Sequence, residues 1–143
     1  VATAGQKGIQ AKRAMVRKPV ILIAEDDPKF RELLQLYLEG EYCLLFAKDG
    51  LQTIEQVQES SPDLILMDIR MPRLTGWQAV REIRARQKMV PIILITGYPD
   101  PLNGHKAETL DVDACLSKPF DFAHLRRLIE ERVGGEETGM ARH

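Results

Sequence analysis

Five polar residues stand where apolar runs of this 143-residue chain stop: Asp26 and Asp27 after "VILIAE", Asp68 after "DLILM", Thr96 after "PIILI" and Lys118 after "ACLS". Brought to one rim, they would set carboxylates against one another. Two unit charges ~4 Å apart repel by about 4 kcal/mol at an effective dielectric of 20, so such a cluster requires a cation. Oxygen donors, with no His or Cys among the five, favour a hard divalent ion, Mg²⁺, over zinc. A lysine and a hydroxyl have no use in a cage that serves only the metal. They suit the oxygens of a phosphoryl group, and a carboxylate among them can be the nucleophile that accepts it. Asp68 is assigned that role as the single acid ending a strand, while Asp26 and Asp27 form a pair suited to metal. Taken singly, each residue is also what a helix cap or a solvated strand end looks like; five at strand ends point to a site.

The elements that would gather them are visible in the periodicity. "PVILIAE", "EYCLLFA", "DLILMD", "VPIILIT" and "DACLSK" read as strands, several of them continuous apolar runs of the kind a parallel strand shows when both faces are covered. Helical patterns alternate with them. In "DPKFRELLQLYLEG", Asp27 suits a cap and Pro28 the first helical position. Phe30, Leu33, Leu34, Tyr37 and Leu38 share a face there, and Gly40 ends the helix. Asp49-Gly50 opens "LQTIEQVQES", which Ser61-Pro62 breaks; "WQAVREIRARQ" places Trp77, Val80 and Ile83 on one face; Asp121 caps "DFAHLRRLIEERV". Between the fourth and fifth strands, Pro99, Pro101 and Gly104 leave room for only a short helix around 105–110. Strands alternating with helices imply right-handed crossovers and an α/β fold. Its centre is a doubly wound, five-stranded parallel sheet with helices on both faces. Ligands of such sheets bind beyond the carboxyl ends of the strands, where these five residues lie.

The chain has room for one domain of ordinary size. The expected division is a basic extension or linker at 1–18, a domain at 19–133 and a tail at 134–143. Residues 1–18 carry Lys7, Lys12, Arg13, Arg17 and Lys18 and no acid, the composition of a solvated linker or, less commonly, a binding arm. A formal charge of −1 gives no general footprint for nucleic acid. No apolar run reaches the ~20 residues of a membrane helix, and no secretory pattern opens the chain, so the expected location is cytoplasmic. Cys43 and Cys115 form no CxxC or Cys/His cluster and are expected to be reduced, packed thiols.

From about Val20 to Val133 the sequence resembles the receiver domain of two-component response regulators, a flavodoxin-like phosphoacceptor module. "AEDD" is similar to that family's acidic pair, "LILMDIRMPRLTG" to its phosphoacceptor strand and loop, "PIILITG" to its hydroxyl-bearing strand and "LSKPF" to its lysine turn. The resemblance implies phosphorylation of Asp68 by a histidine kinase. It implies direct Mg²⁺ ligation by Asp27, Asp68 and the backbone carbonyl of Arg70, with Asp26 acting through metal-bound water. Thr96 and Lys118 would contact the phosphoryl group, and the Lys118-Pro119 bond would be cis.

Three departures stand out. Cys115 occupies the place of the family's switch aromatic, so the phosphate-induced change is expected in the loop Gly97 to Gly104 instead. Asp111 and Val112 replace a pair of small residues. Arg70 and Tyr98 flank the path of an attacking water; they slow loss of the phosphoryl group or are ordinary solvated loop side chains. His124 is expected on the surface.

The function expected is a phosphorylation-controlled signalling module, not an enzyme beyond assisting its own phosphoryl transfer and dephosphorylation. The alternatives are an interaction domain that is not phosphorylated and, further off, an aspartyl-nucleophile phosphohydrolase. Such hydrolases carry an acid two residues after the nucleophile, where this chain has Arg70. Expected partners are a histidine kinase or phosphotransfer domain, a downstream protein or output domain, and a weak homodimer, with no direct nucleic-acid contact and no membrane. With Val1 at its start and no output domain after the last helix, the sequence expects a single-domain regulator or a piece of a longer chain, a hybrid kinase included.

Overall fold

A computed structural model describes residues 17–86, 89–97 and 112–134. The strands are β1 (Val20–Ala24), β2 (Cys43–Ala47), β3 (Leu64–Asp68), β4 (Ile92–Thr96) and β5 (Ala114–Ser117). The helices are α1 (Pro28–Leu38), α2 (Gly50–Ser60), α3 (Gly76–Arg86) and α4 (Phe122–Ile129), the last running into a π-helical turn at Glu130–Gly134. All strand pairings are parallel, in the order β2-β1-β3-β4-β5, so the chain reverses direction across the sheet between β1 and β3.

The sheet is covered on both sides, which explains its uninterrupted apolar strands. On one side Leu22, Ala24, Ile65, Met67, Ile92 and Leu94 pack with Val57 of α2 and Trp77, Val80 and Ile83 of α3. On the other, Ile21, Ile23, Leu64, Leu66, Ile93 and Ile95 pack with Leu34 and Leu38 of α1 and Leu125 and Ile129 of α4. The strand period of two divides neighbouring residues between these cores, and every residue of β3 and β4 is buried. Sliding either strand by one residue would exchange the two sets, so packing itself holds the register that aligns the strand ends.

The helix starts follow from the sequence. Asp27 caps α1 by accepting from the Lys29 N–H at 3.0 Å, with Pro28 as its first residue. Asp49 accepts from the Gln52 N–H at 2.8 Å at α2, and Asp121 from the Ala123 N–H at 2.9 Å at α4. Ser61 ends α2 in the left-handed conformation at φ 46°. The Lys118-Pro119 bond is cis, and His124 is exposed.

Two expectations need correction. Leu33 is 52% exposed although it belongs to the apolar stripe of α1. At about 100° per residue it sits one step round from Leu34, beyond the strip covered by the sheet. Cys43 is exposed rather than packed, because it opens the edge strand β2 where the covering layers end. Cys115 is half-buried in β5, and burial pushes its thiol pKa up. The expected helix near 105–110, Tyr98 and all of the 97–104 loop after Gly97 lie outside the described residues, as do Asp111 and residues 1–16 and 135–143. No helix among the described residues is long and apolar enough to cross a membrane.

Candidate functional site

The carboxyl end of the sheet brings together Glu25 and Asp26 after β1, Asp68 at the end of β3, Thr96 at the end of β4 and Lys118 after β5. Pairing of Asp68 with Ile95 and of Thr96 with Ser117 keeps three strand ends level, and the Lys118 N–H donates to the Thr96 carbonyl at 2.7 Å. Asp68 and Thr96 are both buried.

Each oxygen of Asp68 has its own donor. The Arg70 N–H donates to Oδ1 at 2.9 Å, folding the loop over the strand end, and the Lys118 ammonium reaches Oδ2 at 3.2 Å. Lys118 also lies 3.5 Å from Glu25 Oε1. The carboxylate therefore stands fixed at the mouth of the sheet with an ammonium beside it.

Potential metal-ligand oxygens of Glu25, Asp26 and Asp68 lie within 4.8 Å of one another. This differs from the expected set. Asp27 is outside the cluster, its Oδ1 taken by the first turn of α1, and Glu25 stands in its place. The sequence offers Asp27 two roles, cap and ligand, and the fold gives it the first. Glu25 is still held by the sheet, its N–H donating to the Ala47 carbonyl at 3.0 Å, so its side chain is set at the strand mouth. The Asp27 N–H donates to Glu25 Oε2 at 3.1 Å and the Arg31 guanidinium to the Glu25 carbonyl at 2.8 Å. A strand hydrogen bond on the first acid of "EDD", followed by the cap signature Asp-Pro on the last, is the signal that separates them.

Burial, then the charge of Asp68, pushes the Glu25 pKa up to about 7; the Asp27 N–H and Lys118 oppose the rise. The folded chain without metal thus keeps a proton that the unfolded chain releases between the ordinary 4.5 and about 7. Its stability is expected to fall as pH rises through that window. Urea midpoints in EDTA between pH 5 and 8 should decrease, and Glu25→Gln should flatten the trend. Midpoints that rise over the window would contradict the assignment.

The loop from β3 to α3 is held from beneath. Arg73 has φ 72°, a left-handed backbone unusual for a side-chain-bearing residue, and its guanidinium lies 3.4 Å from the buried Asp49 carboxylate. At the start of α3 the Gly76 N–H donates to the Ile69 carbonyl at 2.7 Å. A Cβ at Gly76 would come within 2.7 Å of Ile69 Cα and 2.8 Å of the Asp68 carbonyl. Because both are backbone atoms, Gly76→Ala is expected to destabilise the fold by about 2–3 kcal/mol and displace the Asp68 loop. Urea denaturation measures it, and a loss under about 0.5 kcal/mol would show that the loop yields freely.

Comparison with known proteins agrees with this geometry. The response regulator receiver domain family matches residues 21–130. Hybrid signal transduction histidine kinase D of Dictyostelium discoideum is 30% identical over 118 residues, 81% of this chain and 8% of that protein. Transcriptional regulatory protein ZraR of Escherichia coli (strain K12) is 33% identical over 114 residues, 79% of this chain and 26% of that protein. The chain thus spans a small part of these curated relatives. Among solved structures, the receiver domain of sensor histidine kinase PA1611 from Pseudomonas aeruginosa has a TM-score of 0.75 and 31% identity, covering 82% of this chain and 99% of that one. Its structure holds a magnesium ion coordinated in the active site cleft. The signal receiver domain of an HD domain-containing protein from Pseudomonas fluorescens has a TM-score of 0.78 and 26% identity, covering 85% and 99%. With a parallel sheet in the order 2-1-3-4-5 and an acidic cluster at its carboxyl end, the chain belongs to the response regulator receiver domain family.

Proposed function

We propose that this receiver domain takes a phosphoryl group on Asp68 from a histidine kinase or phosphotransfer domain and passes the signal to a downstream protein or output domain. The observation that carries the reading is the placement of Asp68. It is a buried carboxylate at the end of a central strand, with Lys118 at 3.2 Å on one oxygen and two further acids alongside.

The donor set fits Mg²⁺. Glu25, Asp26 and Asp68 would hold the ion through oxygens alone, with the backbone carbonyl of Arg70 as a further donor, and a cation there would relieve the charge of Asp68 that opposes ionisation of the buried Glu25. When bound, the ion supplies positive charge to the oxygens of the phosphoryl group. The remaining work belongs to the chain. An oxygen of Asp68 attacks phosphorus as the bond to the donor breaks, giving an acyl phosphate. The Lys118 ammonium, on Oδ2 in the free protein, follows the negative charge onto a phosphoryl oxygen, and the Thr96 hydroxyl contacts another. Water attack at phosphorus later breaks the bond to the Asp68 oxygen, releasing inorganic phosphate and returning the carboxylate, with Arg70 beside the path. The domain works in the cytoplasm, without membrane or nucleic-acid contact of its own, and self-associates weakly.

Incubation with acetyl phosphate, with and without Mg²⁺, followed by intact-mass measurement, tests the reading. A single Mg²⁺-dependent phosphoryl adduct supports it. No adduct at all would indicate an interaction domain, and rapid turnover of the donor without an adduct a phosphohydrolase.

A further inference from the structure

The ammonium of Lys118 has a third neighbour besides Asp68 and Glu25: it lies 4.1 Å from the centroid of the Phe30 ring. Phe30 belongs to the first turn of α1, 88 residues away in sequence, and is half-buried. Its ring is held edge-on by Phe120, two residues after Lys118, with centroids 5.9 Å apart and planes at 88°. Phe120 in turn packs on Phe122 at 5.4 Å, and Phe122 on Tyr37 at 4.8 Å, so three further rings, from the β5-α4 turn, the start of α4 and α1, back the contact. A lone ring on a helix rotates with its side chain, whereas this one is wedged.

The geometry points to Phe30 as a positioning residue for phosphoryl transfer, acting through Lys118. Lysine is a point charge on a flexible four-carbon stem, and its side chain here is 26% exposed, so two carboxylate contacts at 3.2 and 3.5 Å leave it free to swing toward water. The negative face of an aromatic ring attracts the ammonium on the side that water would otherwise occupy. The ring neither accepts nor donates a proton and competes weakly with a phosphoryl oxygen. It can therefore hold Lys118 over Asp68 before reaction and release it to the transferred group. An aliphatic residue of similar volume would fill the space without attracting the charge.

This inference rests on Asp68 being the phosphoacceptor, and the test separates the two. Labelling rates with acetyl phosphate are measured at saturating Mg²⁺ for the wild type, Phe30→Leu, Phe30→Tyr, Lys118→Ala and the Phe30→Leu/Lys118→Ala pair. Phe30→Leu should label about threefold to tenfold more slowly, Phe30→Tyr should restore most of the rate, and Phe30→Leu should add no slowing once Lys118 is gone. Proton NMR gives a readout independent of labelling. Ring-current shielding of the Lys118 ε-methylene should be present in the wild type and Phe30→Tyr and absent in Phe30→Leu. A wild type that labels at the same rate as Phe30→Leu, or equal slowing by Phe30→Leu with and without Lys118, overturns the positioning role alone. A wild type that does not label overturns the phosphoacceptor reading and this role with it.

Discussion

Asp68→Asn is expected to label at below about 1% of the wild-type rate with acetyl phosphate, a barrier higher by more than about 2.7 kcal/mol. The amide keeps the size of the side chain and an oxygen for the Arg70 N–H, which now lies 2.9 Å from Oδ1. It lacks the negative oxygen that attacks phosphorus. Loss of labelling should come without loss of fold, because Asp68 is also the charge that opposes ionisation of Glu25. Its removal relieves repulsion in the metal-free protein, and the urea midpoint at pH 7 in EDTA should be unchanged or raised. A variant that loses both labelling and stability would mean that Asp68 serves the fold rather than the chemistry.

Mg²⁺ at one hundred times its Kd is expected to stabilise the native protein by about 2.7 kcal/mol, raising the melting temperature by about 10 °C. The response should separate two neighbouring acids. Asp26 is exposed and belongs to the cluster with Glu25 and Asp68, so Asp26→Ala should remove most of the rise with little effect on the metal-free fold. Asp27 is engaged as the α1 cap, so Asp27→Ala should lower stability by about 1 kcal/mol with and without metal and leave the Mg²⁺ increment in place. Differential scanning fluorimetry across a Mg²⁺ series reads both. An increment lost in Asp27→Ala and kept in Asp26→Ala would return the metal to the acid pair suggested by the sequence.

Much of this arrangement is legible from residues alone because the signals are local. Strands buried on both faces need apolar residues at every position, so β1, β3 and β4 announce themselves and their ends mark the rim. Asp-Pro at 27–28 and Asp49 and Asp121 ahead of apolar helical patterns are caps because short side-chain oxygens satisfy the first free N–H groups. Asp68, Thr96 and Lys118 follow as the polar residues that end three strands. What was not legible depends on side chains that meet only after folding. Three adjacent acids differ by where the strand stops, so the sequence alone pairs Asp26 with Asp27, whereas the folded cluster pairs it with Glu25. Phe30 read as one more apolar residue of α1, because nothing local says that its ring lies under an ammonium 88 positions on. The tie between Arg73 and Asp49 likewise spans two loops on different strands.

The most direct test of the site is chemical trapping. After reaction with acetyl phosphate and Mg²⁺, borohydride reduces an aspartyl phosphate to homoserine, which tandem mass spectrometry locates in the peptide. Homoserine at position 68, formed only when both reagents are present, is the expected result. Homoserine at Asp26, Asp27 or any other acid, or none in a chain that carries the phosphoryl adduct, would contradict Asp68 as the residue that accepts it.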